Sequence, residues 1–402
     1  MKRFLSLLLA ASLALSLVAC GGSSSSAPEP TATPEPTPVP TPVYDPNPLT
    51  GEEKSADFKD ERITAIMINN IAVCRPQRGL NTAKVLVESK VEGGITRFMG
   101  LFEDYSNLPD VGPVRSGRDQ FLRLIVPYQA LYVHIGRSEV TQTYINQSDY
   151  TDLDVDGNTY NLIYRDQGRL SQGYALEHTA YTNGEYLSAV VDKKGVDMYR
   201  KMTSPIFDFV NYNEPVRVLE GESALSVGIT HSQSYRTYFD YDVMSNKYLM
   251  SQYSAARGVT PTVDENDGVQ VAFDNLIVMF ADIEAYPYPG GNIDPKTGLD
   301  KGDPDYQKVD YEFGGYGFYV NGGTIEQIRW FKGATNQVLR FTDMSGDNAL
   351  KINTGRTYLG IVDLDEYDNF VWTGAESSAA DSAPEADSAA AAQDAAAENA
   401  AE

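Results

Sequence analysis

Cysteine, histidine and basic residues are scarce in this chain. Two cysteines in 402 residues exclude a disulfide framework, a zinc ribbon and an iron–sulfur cluster. Three histidines leave little room for a His-rich metal site, so neither a metal nor another cofactor is expected. Lys and Arg total 32 against 56 Asp and Glu, a formal charge of −24. Nucleic acid is therefore excluded as a partner, because affinity for phosphate backbones comes from basic patches. An anionic membrane surface is an equally poor match. No apolar run reaches the roughly 18 residues that a spanning helix needs. Hydrophobic residues nevertheless make up 42% of the chain, enough for a real core, and the length suits two domains.

The N-terminus carries the strongest signal. Lys2 and Arg3 precede an apolar stretch from Phe4 to Ala19, which ends in Leu17-Val18-Ala19-Cys20 and is followed by Gly21-Gly22. Leu-x-Ala-Cys after such a run resembles a bacterial lipobox. It implies a signal peptide over 1–19, diacylglyceryl transfer to Cys20 and cleavage before it. The competing reading is an ordinary secretory signal with a chance cysteine. Two acyl chains suffice for stable anchoring. The expected localisation is the extracytoplasmic face of the cell membrane, with the N-terminal lipid as the membrane contact.

Behind Cys20 lies a polar tether, expected over 20–57. Nine of the 21 prolines fall between Pro28 and Pro48, many in the run TPEPTPVPTP. Alternating proline favours polyproline II, so this segment reads as a stalk reaching roughly 100 Å at about 3.1 Å per residue. At the other end, residues 374–402 are rich in Ala, Ser, Asp and Glu and lack any base, and read as a disordered acidic tail.

Between them a folded body is expected from Phe58 to Thr373, as an α/β domain over 58–212 and a mostly antiparallel β domain over 213–373, α+β overall. In the first half, strand patterns at 62–70, 85–89, 96–102, 130–136 and 159–165 alternate with helix patterns. Ser116 with Asp119 three residues on has the form of a capping box, as has Thr182 with Glu185. In the second half, period-two alternation dominates, and Asn321-Gly322-Gly323 marks a hairpin turn. Residues 286–307 are rich in Pro, Gly and Asp and read as a surface loop.

The stretches MINN, CRPQRGL, VEGGITRF, VGPVRSGR and LYVHIG resemble the N-terminal domain of the YerB-like lipoprotein family. Gly315-Tyr316-Gly317-Phe318, Trp330-Phe331-Lys332 and the run Leu350 to Tyr358 are similar to its C-terminal domain. The resemblance implies a surface lipoprotein with two tandem domains of unknown function. It brings no reaction, cofactor or ligand. The family reads Pro-His-Asn where this chain has Glu177-His178-Thr179, so no role passes to His178.

The residues themselves offer one constellation. If Ser116 caps a helix, Arg115 and Arg118 stand at its positive end, where the dipole disfavours cations. A bound phosphate or carboxylate would explain them, with Arg97 joining and Glu92 orienting. Internal pairing with the many acids is the alternative. His134 at the end of a strand could be a general base or simply a hydrogen-bonded structural residue, and His178 beside Glu177 an acid/base pair or a loop clasp. Asp152-x-Asp154-x-Asp156-Gly157 imitates a calcium loop but lacks the twelfth-position Glu. Asp294, Asp300, Asp303 and Asp305 form an acidic loop whose calcium binding stays open.

Two functions are compatible with this pattern. One is a non-enzymatic envelope module that binds an anionic wall polymer or an envelope protein. The other is a hydrolase or transferase acting on an anionic cell-wall polymer or glycan through an Arg/His cleft. The sequence leaves open whether the protein is an enzyme. Whether those arginines line an open cleft or are consumed by internal ion pairs decides the site.

Overall fold

The computed structural model describes residues 44–148, 150, 152–154, 161–199, 204–287 and 305–374. The signal peptide, Cys20, the tether up to Val43, the acidic tail and the loop carrying Asp294, Asp300 and Asp303 lie outside the described residues. So does Asp156.

The α/β plus antiparallel-β architecture is present, but both halves share one sheet. Eleven strands form it, with the central order 275–281, 357–363, 85–90, 96–102, 64–69, 131–134. The strand Thr357–Asp363 runs parallel to Asn275–Ala281 on one side and parallel to Val85–Lys90 on the other. It reads TYLGIVD, and all seven residues are buried. A continuous apolar run without alternation is what a strand covered on both faces requires. A second sheet, 258–261, 247–254, 236–242, 226–230 and 371–373, packs over the C-terminal part. Phe239 meets Tyr358 there at 4.8 Å between ring centroids.

A buried polar knot ties the sheets. Glu88, on the strand 85–90, accepts from Thr96 Oγ1 at 2.7 Å, Asn70 Nδ2 at 3.0 Å, Thr237 Oγ1 at 2.8 Å and Tyr358 Oη at 2.7 Å. His231 Nε2 lies 3.2 Å from Tyr358 Oη. Burial alone would push the Glu88 carboxyl up, but His231 and these donors hold it below the usual carboxylate range. A buried charge is tolerated when its lone pairs are this fully occupied.

Local expectations hold unevenly. The hairpin 315–321/324–331 turns on Gly322 and Gly323, whose φ values of +59° and +78° suit a primed two-residue turn. Three boundaries are corrected. The body begins by Tyr44, not Phe58: Leu49 and Thr50 are fully buried. The helix Asp119–Ile125 has Arg118 at its N-cap with no side-chain cap, so Ser116 does not cap it. Asn183, not Thr182, caps Gly184–Lys194, accepting from the backbone of Glu185 and Tyr186. Of the strand expected over 159–165, the described residues form only Tyr164–Arg165.

Because 357–363 fills the gap between the halves, separating them exposes two long strand edges. Residues 44–199 and 212–374 expressed apart should each fail to show cooperative thermal unfolding, while the intact chain melts in one transition by calorimetry. Two independent transitions in the intact chain would contradict the shared sheet.

Candidate functional site

The site is built on two tight connections. Gly93 and Gly94 both take left-handed φ (+66° and +69°), which reverses the chain between strands 85–90 and 96–102 and turns Glu92 inward. Arg97 follows on the second strand. Residues 111–117 lie between two neighbours: Val114 bridges Ile68, and its amide bonds Ala180 O at 2.7 Å. This brings Asn69, Arg115 and His178 together from three distant stretches.

Glu92 accepts from Arg97 Nη2 at 2.8 Å and from Arg118 Nε at 2.8 Å, and Arg118 Nη2 completes a fork on the same carboxylate. One further donor of each is occupied: Arg97 Nη1 bonds Ser116 O at 3.0 Å and Arg118 Nη1 bonds Gly117 O at 2.7 Å, while Arg97 Nε has no partner among the described residues. Tyr306 lies against the Arg118 guanidinium at 5.0 Å. All three charged groups are buried, with Arg97 only 1% exposed. Burial opposes ionisation of Glu92, but Arg97 and then Arg118 outweigh it and hold the carboxyl well below its usual range. Burial, followed by the nearby Arg118, pushes Arg97 down to about 9, so it stays charged at neutral pH.

The expected open anion cleft of Arg97, Arg115 and Arg118 with His134 at its rim is therefore not formed. Arg97 and Arg118 are consumed by Glu92. This ion pair, rather than a bound anion at a helix dipole, explains Arg118 at the helix start. His134 is fully buried, with Nδ1 2.9 Å from Gly136 O and Nε2 3.0 Å from Asp152. That is a structural histidine. Asp154 accepts from the Gly136 amide at 2.7 Å and pairs with Arg137. Asp152 and Asp154 are thus committed to this corner instead of a calcium loop. Asp305 accepts from the Gly93 amide at 3.1 Å.

Arg115 is different. It is half-buried, and its guanidinium makes no hydrogen bond or ion pair among the described residues. Burial lowers its pKa; Cys74 and Glu177 act the other way, while Arg118 reinforces the lowering. Its neighbours form a second cluster. His178 Nδ1 lies 3.1 Å from Cys74 Sγ and 3.3 Å from Asn69 Nδ2. His178 Nε2 lies 3.6 Å from Glu177 Oε1. Both groups at Nδ1 are donors, so that nitrogen accepts and the ring proton sits on Nε2, toward Glu177. Burial pushes His178 down, against the pull of Glu177, and keeps it neutral at pH 7. Burial likewise pushes the Cys74 thiol up, despite Arg115, Arg169 and Arg75 nearby. Sequence reasoning missed Cys74 and Asn69 as site residues. Cys74 and His178 are 104 positions apart, and no local motif joins them.

The tight turn at Glu92 and the paired arginines are features of the N-terminal half. The N-terminal domain of the protein family of unknown function DUF3048 matches residues 49–197, and its C-terminal domain matches residues 226–359. The chain belongs to this family. It is 27% identical to the "Putative lipoprotein YerB" of Bacillus subtilis (strain 168), over 79% of this chain and 86% of that protein. A crystal structure of the YerB protein from Bacillus subtilis superposes with a TM-score of 0.62 at 24% identity, covering 80% of this chain and 97% of that one. The likeness supports the YerB-like fold. The C-terminal family match ends at residue 359, inside the strand 357–363 that is central to the shared sheet.

Removing one partner of a buried ion pair strands the others. Glu92→Gln should cost about 3–5 kcal/mol by denaturant unfolding, since two guanidinium groups lose their only carboxylate partner among the described residues. Two carboxyls should also impose opposite pH slopes. Glu92, depressed in the fold, contributes stability that is full above the unfolded pKa of about 4.3 and declines as pH falls below it. Asp119 is raised to about 6 by burial, partly offset by the Tyr286 hydroxyl. Its protonated form is favoured in the fold, so stability falls as pH rises from about 4 toward 6. Asp119→Asn should flatten that second slope in unfolding curves measured between pH 4 and 7; an unchanged slope would refute the assignment.

Proposed function

We propose that the protein is a lipid-anchored module on the extracytoplasmic face of the cell membrane, without catalytic activity, that binds an anionic group of an envelope component at Arg115. The Cys20 lipobox supports the anchor, as does the name of the Bacillus subtilis relative, a putative lipoprotein. No helix among the described residues is long and apolar enough to cross a membrane. The observation that carries the binding reading is Arg115: a half-buried guanidinium with no hydrogen bond or ion pair among the described residues, in a chain of net charge −24.

The physics favours a local anion. Arg97 and Arg118 against Glu92 leave one net positive charge, and Arg115 adds another that Glu177 partly offsets. The chain's overall negative charge repels polyanions at a distance, but at 0.15 M salt that field is screened within about 8 Å. A phosphate or carboxylate arriving at Arg115 meets a planar fork suited to bidentate contact. Candidates in chemical terms are an anionic wall polymer or an acidic segment of an envelope protein.

A second reading, a hydrolase or transferase on an anionic wall polymer or glycan, is favoured by one contact: His178 beside Cys74, next to Arg115. It would require the Cys74 thiol, now fully buried, to become exposed. Release of product from wall fragments that disappears in Cys74→Ser, with binding retained, would establish it over the binding module.

Calorimetric titration with phosphate, citrate and wall-polymer fragments tests the module. Arg115→Ala should weaken binding roughly 10- to 100-fold, as loss of charge-assisted hydrogen bonds predicts, and Arg115→Lys nearly as much. Equal affinities in all three proteins would remove the site. Cys20→Ala should release the protein from the membrane fraction or leave it as precursor. A variant that stays membrane-bound with normal electrophoretic mobility would overturn the anchor.

A further inference from the structure

A separate pocket lies at the seam of the two halves. Its volume is about 540 Å³, within the range of small-molecule sites. One wall comes from Tyr128 of the N-terminal half, another from the connecting segment 204–209, and a third from 338–351 of the C-terminal half. Tyr44 and Pro46 close one side. The floor is aromatic: Phe207 packs against Phe209 at 5.8 Å and against Phe341 at 5.9 Å. Phe207, Phe209, Phe341 and Leu350 keep 4–6% exposure each, so solvent reaches the floor. Tyr128 is fixed by its hydroxyl, which donates to Ile206 O at 3.3 Å.

The rim carries two cations, Arg340 and Lys351, and two anions, Asp208 and Asp347. Lys351 is neutralised by Asp208 at 2.6 Å. Arg340 is exposed and makes no hydrogen bond or ion pair among the described residues, although the chain carries 56 acids. Arg340 belongs to the short strand Arg340–Thr342, whose pairing with Phe331 fixes its backbone at the pocket mouth. An aromatic cavity with the unpaired Arg340 guanidinium fixed at its edge, and the Asp347 carboxylate elsewhere in the lining, suits a ligand that is apolar at one end and carries a carboxylate to set on Arg340. Rings supply the contact area, and the guanidinium supplies orientation.

We infer that this pocket binds an amphipathic monocarboxylate, its apolar body against Phe207, Phe209 and Phe341 and its carboxylate on Arg340. Such chemistry comes from the C-terminus of a peptide ending in an apolar residue, or from a medium-length acyl chain. The site is distinct from Arg115 and does not depend on the function proposed there.

Isothermal titration of the full-length protein with N-acetyl-leucyl-phenylalanine, its C-terminal amide, decanoate and decanol tests this. Each carboxylate that binds should do so at least tenfold more tightly than its neutral counterpart. Arg340→Gln, at an exposed position, should abolish that advantage while leaving the neutral compounds unchanged. Leu350→Trp, which fills the floor, should remove binding of all four. Tighter binding of the dipeptide assigns the site to peptide termini, and tighter binding of decanoate assigns it to acyl chains. Either result with the Arg340 dependence upholds the inference. Equal affinity of acid and neutral forms, an unchanged acid affinity in Arg340→Gln, or no binding at all would overturn it. Arg115→Ala should leave every one of these titrations as in the parent protein.

Discussion

One carboxylate, Glu92, determines what the N-terminal half can do. It draws Arg97 from the neighbouring strand and Arg118 from the start of a helix onto a single pair of oxygens. Two cations sharing one anion is a costly arrangement in a buried place, and backbone carbonyls offset part of that cost by accepting one further N–H from each guanidinium. The result is a rigid, slightly positive corner. Arg115 lies on the short segment between Val114 and Arg118, so the same clamp that silences two arginines fixes the position of the third. Freedom at Arg115 is a consequence of satisfaction at its neighbours.

A second buried carboxylate, Glu88, works at longer range. It faces Thr237 and Tyr358, which belong to the C-terminal half, while its other oxygen serves Asn70 and Thr96 of the N-terminal half. Together with the parallel pairing of 357–363 to 85–90, this makes the two family domains one folded body. The pocket floored by Phe207 exists for the same reason. It is the space left where the connecting segment crosses the seam.

Much of the fold was legible in the residues. Strands such as 85–90 and 96–102 lie where the patterns put them, because apolar spacing reports the face that a strand buries. The Gly322-Gly323 turn was legible because few residues tolerate its backbone. What was not legible is long-range partnership. TYLGIVD is an apolar run, but nothing local says that it lies beside residues 272 positions earlier. The site suffered the same way. The pairing of Arg97 and Arg118 was visible as two open alternatives, and only distance chose between them. Ser116 fitted a capping box by spacing, yet the chain at Gly117 is held extended by a bridge to Arg137, so the helix starts later. Cys74 and Asn69 reach His178 through tertiary pairing alone.

The central claim is that Arg115, and not its two clamped neighbours, is the cation offered to an anionic ligand. The most direct measurement is an NMR titration of the arginine Nε–H resonances with inorganic phosphate at constant ionic strength. The account predicts one saturable shift, at Arg115, while the protected resonances of Arg97 and Arg118 stay in place. A uniform drift of exposed arginines with no saturation at Arg115, or movement of the Arg97 and Arg118 signals instead, would contradict it.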